Sequence, residues 1–247
     1  MKKTLLLVFL LFSALQIHAG ITVTEKLTDG QSVSYFQNGL IASFSDGKLD
    51  TLIDIRKKTV YTVDYESEML MFGTFDDMRE MQKLAAAQIQ DITKDDYYKK
   101  QHEEIKKLKV KTEPKGKGSY AGYPCEKVLL SLPSLNISTE ICYSKQLLDE
   151  IAKEVDIAAF LSIVNNAPPF FMSPEEVVEN EITVYASKGF SLYEKTRMPD
   201  FSGGTKEDVT EVTSVSKGSI PADRFQLPKG LTTVKMKDLM TQIINQQ

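Results

Sequence analysis

Few residues in this chain have the chemistry to act as catalysts. Two histidines occur, His18 and His102. That count excludes a multi-histidine metal centre and leaves any Ser-His-Asp arrangement resting on His102, which sits among Glu103, Glu104 and several lysines. The adjacent carboxylates Asp76-Asp77, Asp95-Asp96 and Glu175-Glu176 suit helix starts and solvated faces better than acid–base catalysis. Neither a P-loop nor a GxGxxG turn is present. Asn136-Ile137-Ser138 fits a glycosylation sequon but falls at a turn. No catalytic, metal or cofactor residue is assigned, so a non-enzymatic protein without a cofactor is expected. The softer chemistry is more suggestive. Met69, Met71, Met78 and Met81 cluster where two structural periods meet, and flexible thioethers can line an adaptable apolar site.

Cys125 and Cys142 are the only cysteines, and no CxxC spacing supports redox catalysis. Their compartment follows from the first residues. Lys2 and Lys3 precede an apolar run from Thr4 to Leu15, and Ile17-His18-Ala19 fits a cleavage site. Residues 1–19 are thus expected to be a signal peptide. The run is shorter than the ~20 residues a membrane span needs. The residue directly after the cleavage site is Gly20, not Cys, and no later segment is apolar enough to cross a bilayer. Residues 20–247 are expected as a single soluble domain, periplasmic or extracellular, where an even pair of cysteines forms a disulfide. The full chain carries a formal charge of −4, and losing Lys2 and Lys3 makes it more acidic. Nucleic acid is not an expected partner.

The elements holding these residues begin with strands. Ile21 to Leu27 alternates, and Asp29-Gly30, Asn38-Gly39 and Asp46-Gly47 punctuate a meander running through Tyr65. The period then becomes helical near residues 74–110, with Thr74 as one cap and Thr93, followed by Asp96, as a second. Gly116 to Gly118 breaks that pattern. In the next hairpin Val128, Leu130 and Leu132 share a face, as do Leu135, Ile137 and Ile141. A tight turn at Pro133-Ser134 would set Leu132 against Leu135, Lys127 against Glu140 and Cys125 against Cys142. Ser144 caps a long helix over 144–164, ended by Asn165-Asn166 and Pro168-Pro169. Ser173-Pro174-Glu175-Glu176 reads as a further helix start. Strands are expected at Ile182–Tyr185, Phe190–Met198 and Val209–Val215, and a last helix near 236–245.

Gly122-Tyr123-Pro124-Cys125-Glu126-Lys127 and the closing Ile220-Pro221-Ala222-Asp223-Arg224-Phe225-Gln226-Leu227-Pro228-Lys229-Gly230 together resemble the exported bacterial family called domain of unknown function 4412. The Phe-x-Leu-Pro-x-Gly ending is the more specific piece. Cys142 departs from the aromatic residue expected in its strand. The resemblance implies an α+β, mostly antiparallel fold similar to the lipoprotein-carrier half-barrels. In it, a curved sheet has helical insertions packed on its concave face. The resemblance brings no activity and no catalytic residues.

That implied fold, with the Met- and Phe-rich segments, motivates an apolar pocket lined by Phe72, Met78, Met81, Phe160, Phe170 and Phe171, for a lipid, an acyl chain or another apolar ligand. The leading expectation is a non-enzymatic carrier or sensor in the bacterial envelope. The alternatives are an envelope scaffold binding another protein and, behind both, an enzyme. An enclosed apolar cavity favours the carrier; an exposed apolar patch over a solid core favours the scaffold.

Overall fold

The computed structural model describes residues 19–92, 95–164, 173–200 and 203–245. The expected signal peptide (save Ala19), the Thr93 cap, the Asn-Asn and Pro-Pro helix end, and Phe170-Phe171 lie outside the described residues.

The turn signals of the N-terminal third produce six strands: β1 (Gly20–Leu27), β2 (Gly30–Gln37), β3 (Leu40–Ser45), β4 (Lys48–Asp54), β5 (Thr59–Asp64) and β6 (Met69–Thr74). Asn38-Gly39 and Asp46-Gly47 both take positive φ, 50° and 75° in the first pair and 48° and 80° in the second. This is the twist that two-residue hairpins demand. Helices α1 (Phe75–Ile92) and α2 (Asp96–Lys107) follow. The second half of the sheet is β7 (Lys111–Tyr120), β8 (Tyr123–Leu132), β9 (Ile137–Ser144), β10 (Phe190–Pro199) and β11 (Thr205–Gly218). Helices α3 (Lys145–Ile151), α4 (Ile157–Val164) and α5 (Pro174–Ala186) are inserted between β9 and β10. A short β12 (Thr232–Lys235) and α6 (Met236–Asn245) end the described chain.

All strands join one open sheet of 12, in the order β12-β6-β5-β4-β3-β2-β1-β11-β10-β9-β8-β7. Among the described residues only the β12–β6 pair is parallel. The two meanders meet where β1 pairs with β11. Register shifts leave Thr213 as an extra residue in β11 opposite Thr24/Glu25, and Leu192 as an extra residue in β10 between Ser191 and Tyr193. Such bulges bend their strands.

The pleat sorts side chains onto two faces. On the inner face Ile21, Val23, Phe36, Ile41 and Ile53 pack with Leu147, Ile151 and Val155 from α3 and the turn after it. Farther along that face, Val128, Leu130, Ile137 and Ile141 pack with Ile105 of α2 and with Val177, Val178 and Tyr185 of α5. The outer face carries a separate core of Ala42, Phe44, Leu49, Leu52, Val63 and Leu70, covered by Phe225, Leu227 and Leu231.

The acidic pairs sit at helix starts. Asp95 accepts from the Tyr97 amide and caps α2, the role expected of Thr93. Glu176 closes a capping box with Ser173 at α5. Asp77 accepts from the Thr74 amide at 2.9 Å and the Thr74 hydroxyl at 2.7 Å, while its own amide donates to Thr74 Oγ1 at 3.0 Å. Lys235 approaches the same carboxylate at 3.3 Å, tying α1 to β12. The Thr74 amide, then its hydroxyl, hold the Asp77 carboxyl below the usual carboxylate range, with Lys235 assisting. An Asp77→Ala chain is expected to lose about 1 kcal/mol. A lowered folded-state value gives stability that is full above the unfolded value and lost as pH falls through the folded one. The gap in urea midpoint between wild type and Asp77→Ala should therefore be widest at pH 7 and narrow below the carboxylate range. An equal gap at both extremes would contradict the cap.

Four expectations need correction. The helical stretch over 74–110 stops at Lys107, and Gly116–Gly118, beyond the helical pattern, lies inside a strand, β7. Lys, Glu, Pro and Gly give β7 no apolar alternation, which is the composition of a guarded sheet edge. The helix over 144–164 is broken after Ile151. The Glu154 carbonyl accepts from the Gly39 amide at 2.7 Å, and Asp156 starts α4 by accepting from the Ala159 amide at 3.0 Å. Ile182–Tyr185 is helical, within α5. The β8–β9 turn is a 3-10 turn at Pro133–Leu135 closed by Asn136 at φ 54°, so Leu132 pairs with Ile137 and Lys127 with Cys142. The register therefore differs by two residues from a tight Pro-Ser turn. A shift of two preserves every face. Cys125 and Cys142 thus still share a side, and form the disulfide diagonally with Cα atoms 5.4 Å apart. Lys127 and Glu140 also stay near each other, at 3.9 Å.

Candidate functional site

The inner face and its helices do not close completely on one another. Between them lies a cavity of about 220 Å³. Its floor is sheet: Phe36, Ile41 and Ile141, with Glu25 and Tyr143. Its roof is helical: Leu148 and Ile151 from α3, Ile157, Phe160 and Leu161 from α4, and Ile182, Tyr185 and Ala186 from α5. The turn into β10 adds Gly189, Phe190 and Ser191.

Local structure explains why these residues meet. Ser144 accepts from the Leu147 amide and starts α3 directly at the end of β9, so Leu148 and Ile151 turn back over the sheet. The α3–α4 break lets Ile157 and Phe160 approach from a second direction. Gly189 ends the excursion. A Cβ there would stand 2.8 Å from the Ser144 carbonyl carbon and 3.0 Å from the Lys145 nitrogen, so only glycine lets β10 begin this close to α3. Phe190 meets Phe36 edge-on at 6.1 Å. Ile151 is fully buried, whereas Ala186 is exposed and marks the mouth.

The polar groups are few. The Tyr143 hydroxyl donates to Glu126 at 3.0 Å, and burial followed by Glu126 pushes that phenol up to about 12. The Tyr143 and Tyr185 rings lie 5.2 Å apart, and Lys188 sits 3.9 Å over Tyr185. Glu25 is half-buried. Burial, then the neighbouring Glu194, raises its carboxyl above the usual range. Glu194 is raised in the same way by burial and then by Glu179. Among the described residues no group of three or more His, Cys, Asp or Glu is arranged to hold a metal ion. His102 is half-buried on α2 and does not line the cavity.

Of the expected liners, Phe160 is in the cavity wall. Phe72 stacks on Tyr61 at 6.4 Å, and the β5–β6 register puts both rings on the outer face. Met78 reaches the space left by Gly73 beside α1, and Met81 is half-buried on that helix; neither lines the cavity. The floor residues went unassigned from sequence. Glu25 did leave a signal there: it continues the inward series Ile21, Val23, where an apolar residue is the norm.

No family model matches the chain, and no curated protein matches it. The resemblance to the exported family of unknown function therefore rests on its motif residues. Several solved structures align along most of the chain. An uncharacterised conserved protein from Thermus thermophilus aligns over 94% of this chain and 98% of its own, at 10% identity and a TM-score of 0.37. PNGF-II aligns over 90% of this chain at 14% identity and a TM-score of 0.39, but the match spans 33% of its length. MucB, in the Pseudomonas aeruginosa MucA/MucB complex, aligns over 89% of this chain and 59% of its own, at 11% identity and a TM-score of 0.34. Similarity at this level carries neither an activity nor a partner across.

Proposed function

We propose that this protein is an exported, non-enzymatic carrier or sensor of an apolar ligand, built as a curved half-barrel with helices across its concave face. The supporting observation is the cavity between the inner face and α3–α5, whose walls are almost wholly aliphatic and aromatic. An enclosed apolar space of about 150 Å³ suffices for benzene. The present cavity, about 220 Å³, suits a single ring or the last six to eight carbons of a chain, roughly. The Cys125–Cys142 disulfide accords with an oxidising compartment. Among the described residues no helix is long and apolar enough to cross a membrane.

A scaffold would bind through a sheet edge or a contiguous exposed apolar patch. The large exposed apolar side chains among the described residues are Tyr65, Leu84, Tyr97, Tyr98 and Val184, spread over a turn and three helices. The carrier reading is preferred on the apolar cavity.

Native mass spectrometry of protein purified without detergent, followed by solvent extraction, tests the reading. The expected result is an extractable apolar adduct, or saturable uptake of 1-octanol by the bare protein. Ala186→Trp places a bulky ring at the exposed mouth and should weaken 1-octanol binding at least tenfold while leaving the melting temperature nearly unchanged. A bare mass with no uptake of 1-octanol would remove the carrier reading.

A further inference from the structure

The cavity has one feature that a purely apolar ligand does not explain. Among the described lining residues Glu25 alone is charged. It stands on the sheet floor, opposite Val212 of β11, and Glu194 of β10 and Glu179 of α5 continue the line of carboxylates. Glu179 falls three and seven residues before the lining residues Ile182 and Ala186 but is itself exposed, outside the cavity wall. Among the described residues no Lys or Arg forms an ion pair with any of the three. Carboxylates elsewhere in the chain do have such partners: Glu150 has Lys217 at 2.8 Å, and Glu113 has Lys111 at 2.6 Å and Lys115 at 2.9 Å.

A carboxylate held in a partly dry place without a counter-charge is unfavourable for the empty protein. The cost disappears when a cation arrives together with the apolar group that fills the cavity. We infer that the cavity selects amphiphiles with a primary ammonium head, the apolar tail or ring lying against Ile41, Ile141, Ile151 and Phe160 and the ammonium meeting Glu25. This inference rests on the carrier reading and adds the head group to it. A carboxylate-headed chain of equal length would place like charge beside Glu25 and Glu194 and be rejected. A neutral alcohol would gain the cavity but not the ion pair. A charge-assisted hydrogen bond in such a site accounts for about a tenfold preference or more.

Three probes share one tail: octylamine, 1-octanol and octanoate. Calorimetric titration into the full mature protein at pH 7 should rank them in that order, with octylamine at least tenfold tighter than 1-octanol. Glu25→Gln keeps the shape and removes the charge. It should bring octylamine down to the level of 1-octanol; Glu194→Gln should reduce the preference in part. The preference should also fade as pH falls and Glu25 takes up a proton. The titratable groups around it are Glu194 from β10, Glu179 and Tyr185 from α5, and Tyr143 from β9. Octanoate binding as tightly as octylamine, or a preference that survives Glu25→Gln, would overturn the head-group inference while leaving the carrier reading intact. Failure of all three probes would remove the carrier reading and this inference with it. Octylamine binding that Ala186→Trp leaves untouched would place the amine on the acidic surface and overturn the inference as well.

Discussion

Reducing the Cys125–Cys142 bond, or replacing both cysteines by alanine, should lower the stability of the protein by about 3 kcal/mol. The bond closes a loop with a sequence separation of 17, and most of its effect is to restrict the unfolded chain. Its surroundings offer little compensation for its loss. Both cysteines are buried, and Tyr120, Tyr123 and Tyr193 pack against the cluster that contains them. Strand β7 approaches so closely that a Cβ on Gly118 would lie 3.3 Å from Cys142 Sγ and 3.4 Å from Cys125 Sγ. At about 2–4 °C per kcal/mol for a chain of this size, melting should drop by roughly 6–12 °C. Paired urea titrations with and without reductant measure it. Equal midpoints, with both thiols confirmed free, would show that the β8–β9 hairpin holds without the bond.

The disulfide was legible in the sequence for a reason that also marks the limit of such reading. Facing the two cysteines required only that the strand parity be right, and parity survives a shift of two residues. The register itself depended on Asn136 adopting φ 54° after a 3-10 turn, and nothing in Pro133-Ser134-Leu135 announces that choice. Helix starts were equally legible, since Thr74, Ser144 and Ser173 each satisfy amides within a few residues. Ile182–Tyr185 was not. Its local composition favours a strand, but the capping box at Ser173 launches a helix that buries Val177, Val178 and Tyr185, and tertiary burial overrides propensity. The cavity was least legible. Its walls come from β1, β2, β3, β9, the start of β10 and three helices, and only the fold brings Glu25 within reach of Phe160.

The same sheet separates two tasks. The inner face leaves a space between itself and the helices, whereas the outer face of β2–β6 is sealed by the chain's own later segment. Residues in the Phe-x-Leu-Pro-x-Gly motif therefore have a structural role away from the cavity. Changes on either side of the sheet should be separable in experiment, because the two clusters share no side chain.

Replacing Phe225 and Leu227 together by alanine should cost about 3 kcal/mol without changing what the cavity binds. After β11 the chain crosses behind the first meander, where Phe225, Leu227 and Leu231 cover Ala42, Phe44, Leu49, Leu52, Val63 and Leu70. The Arg224 guanidinium lies 5.7 Å from both the Tyr35 and Phe44 rings, which themselves meet edge-on at 5.5 Å. The Thr232 amide then donates to the Glu68 carbonyl at 2.9 Å, and β12 pairs in parallel with β6. Phe225 and Leu227 are half-buried, so each truncation forfeits less than the ~3–5 kcal/mol of a fully buried aromatic. Being neighbours over one core, their effects need not add. The doubly substituted chain should melt roughly 6–12 °C lower. It should be cut by protease first within residues 219–231, as the segment lifts from the outer face. Its affinity for 1-octanol should match wild type, because the cavity opens on the other side. A large stability loss with normal cleavage and lost 1-octanol binding would instead mean that the outer core and the cavity are one cooperative unit.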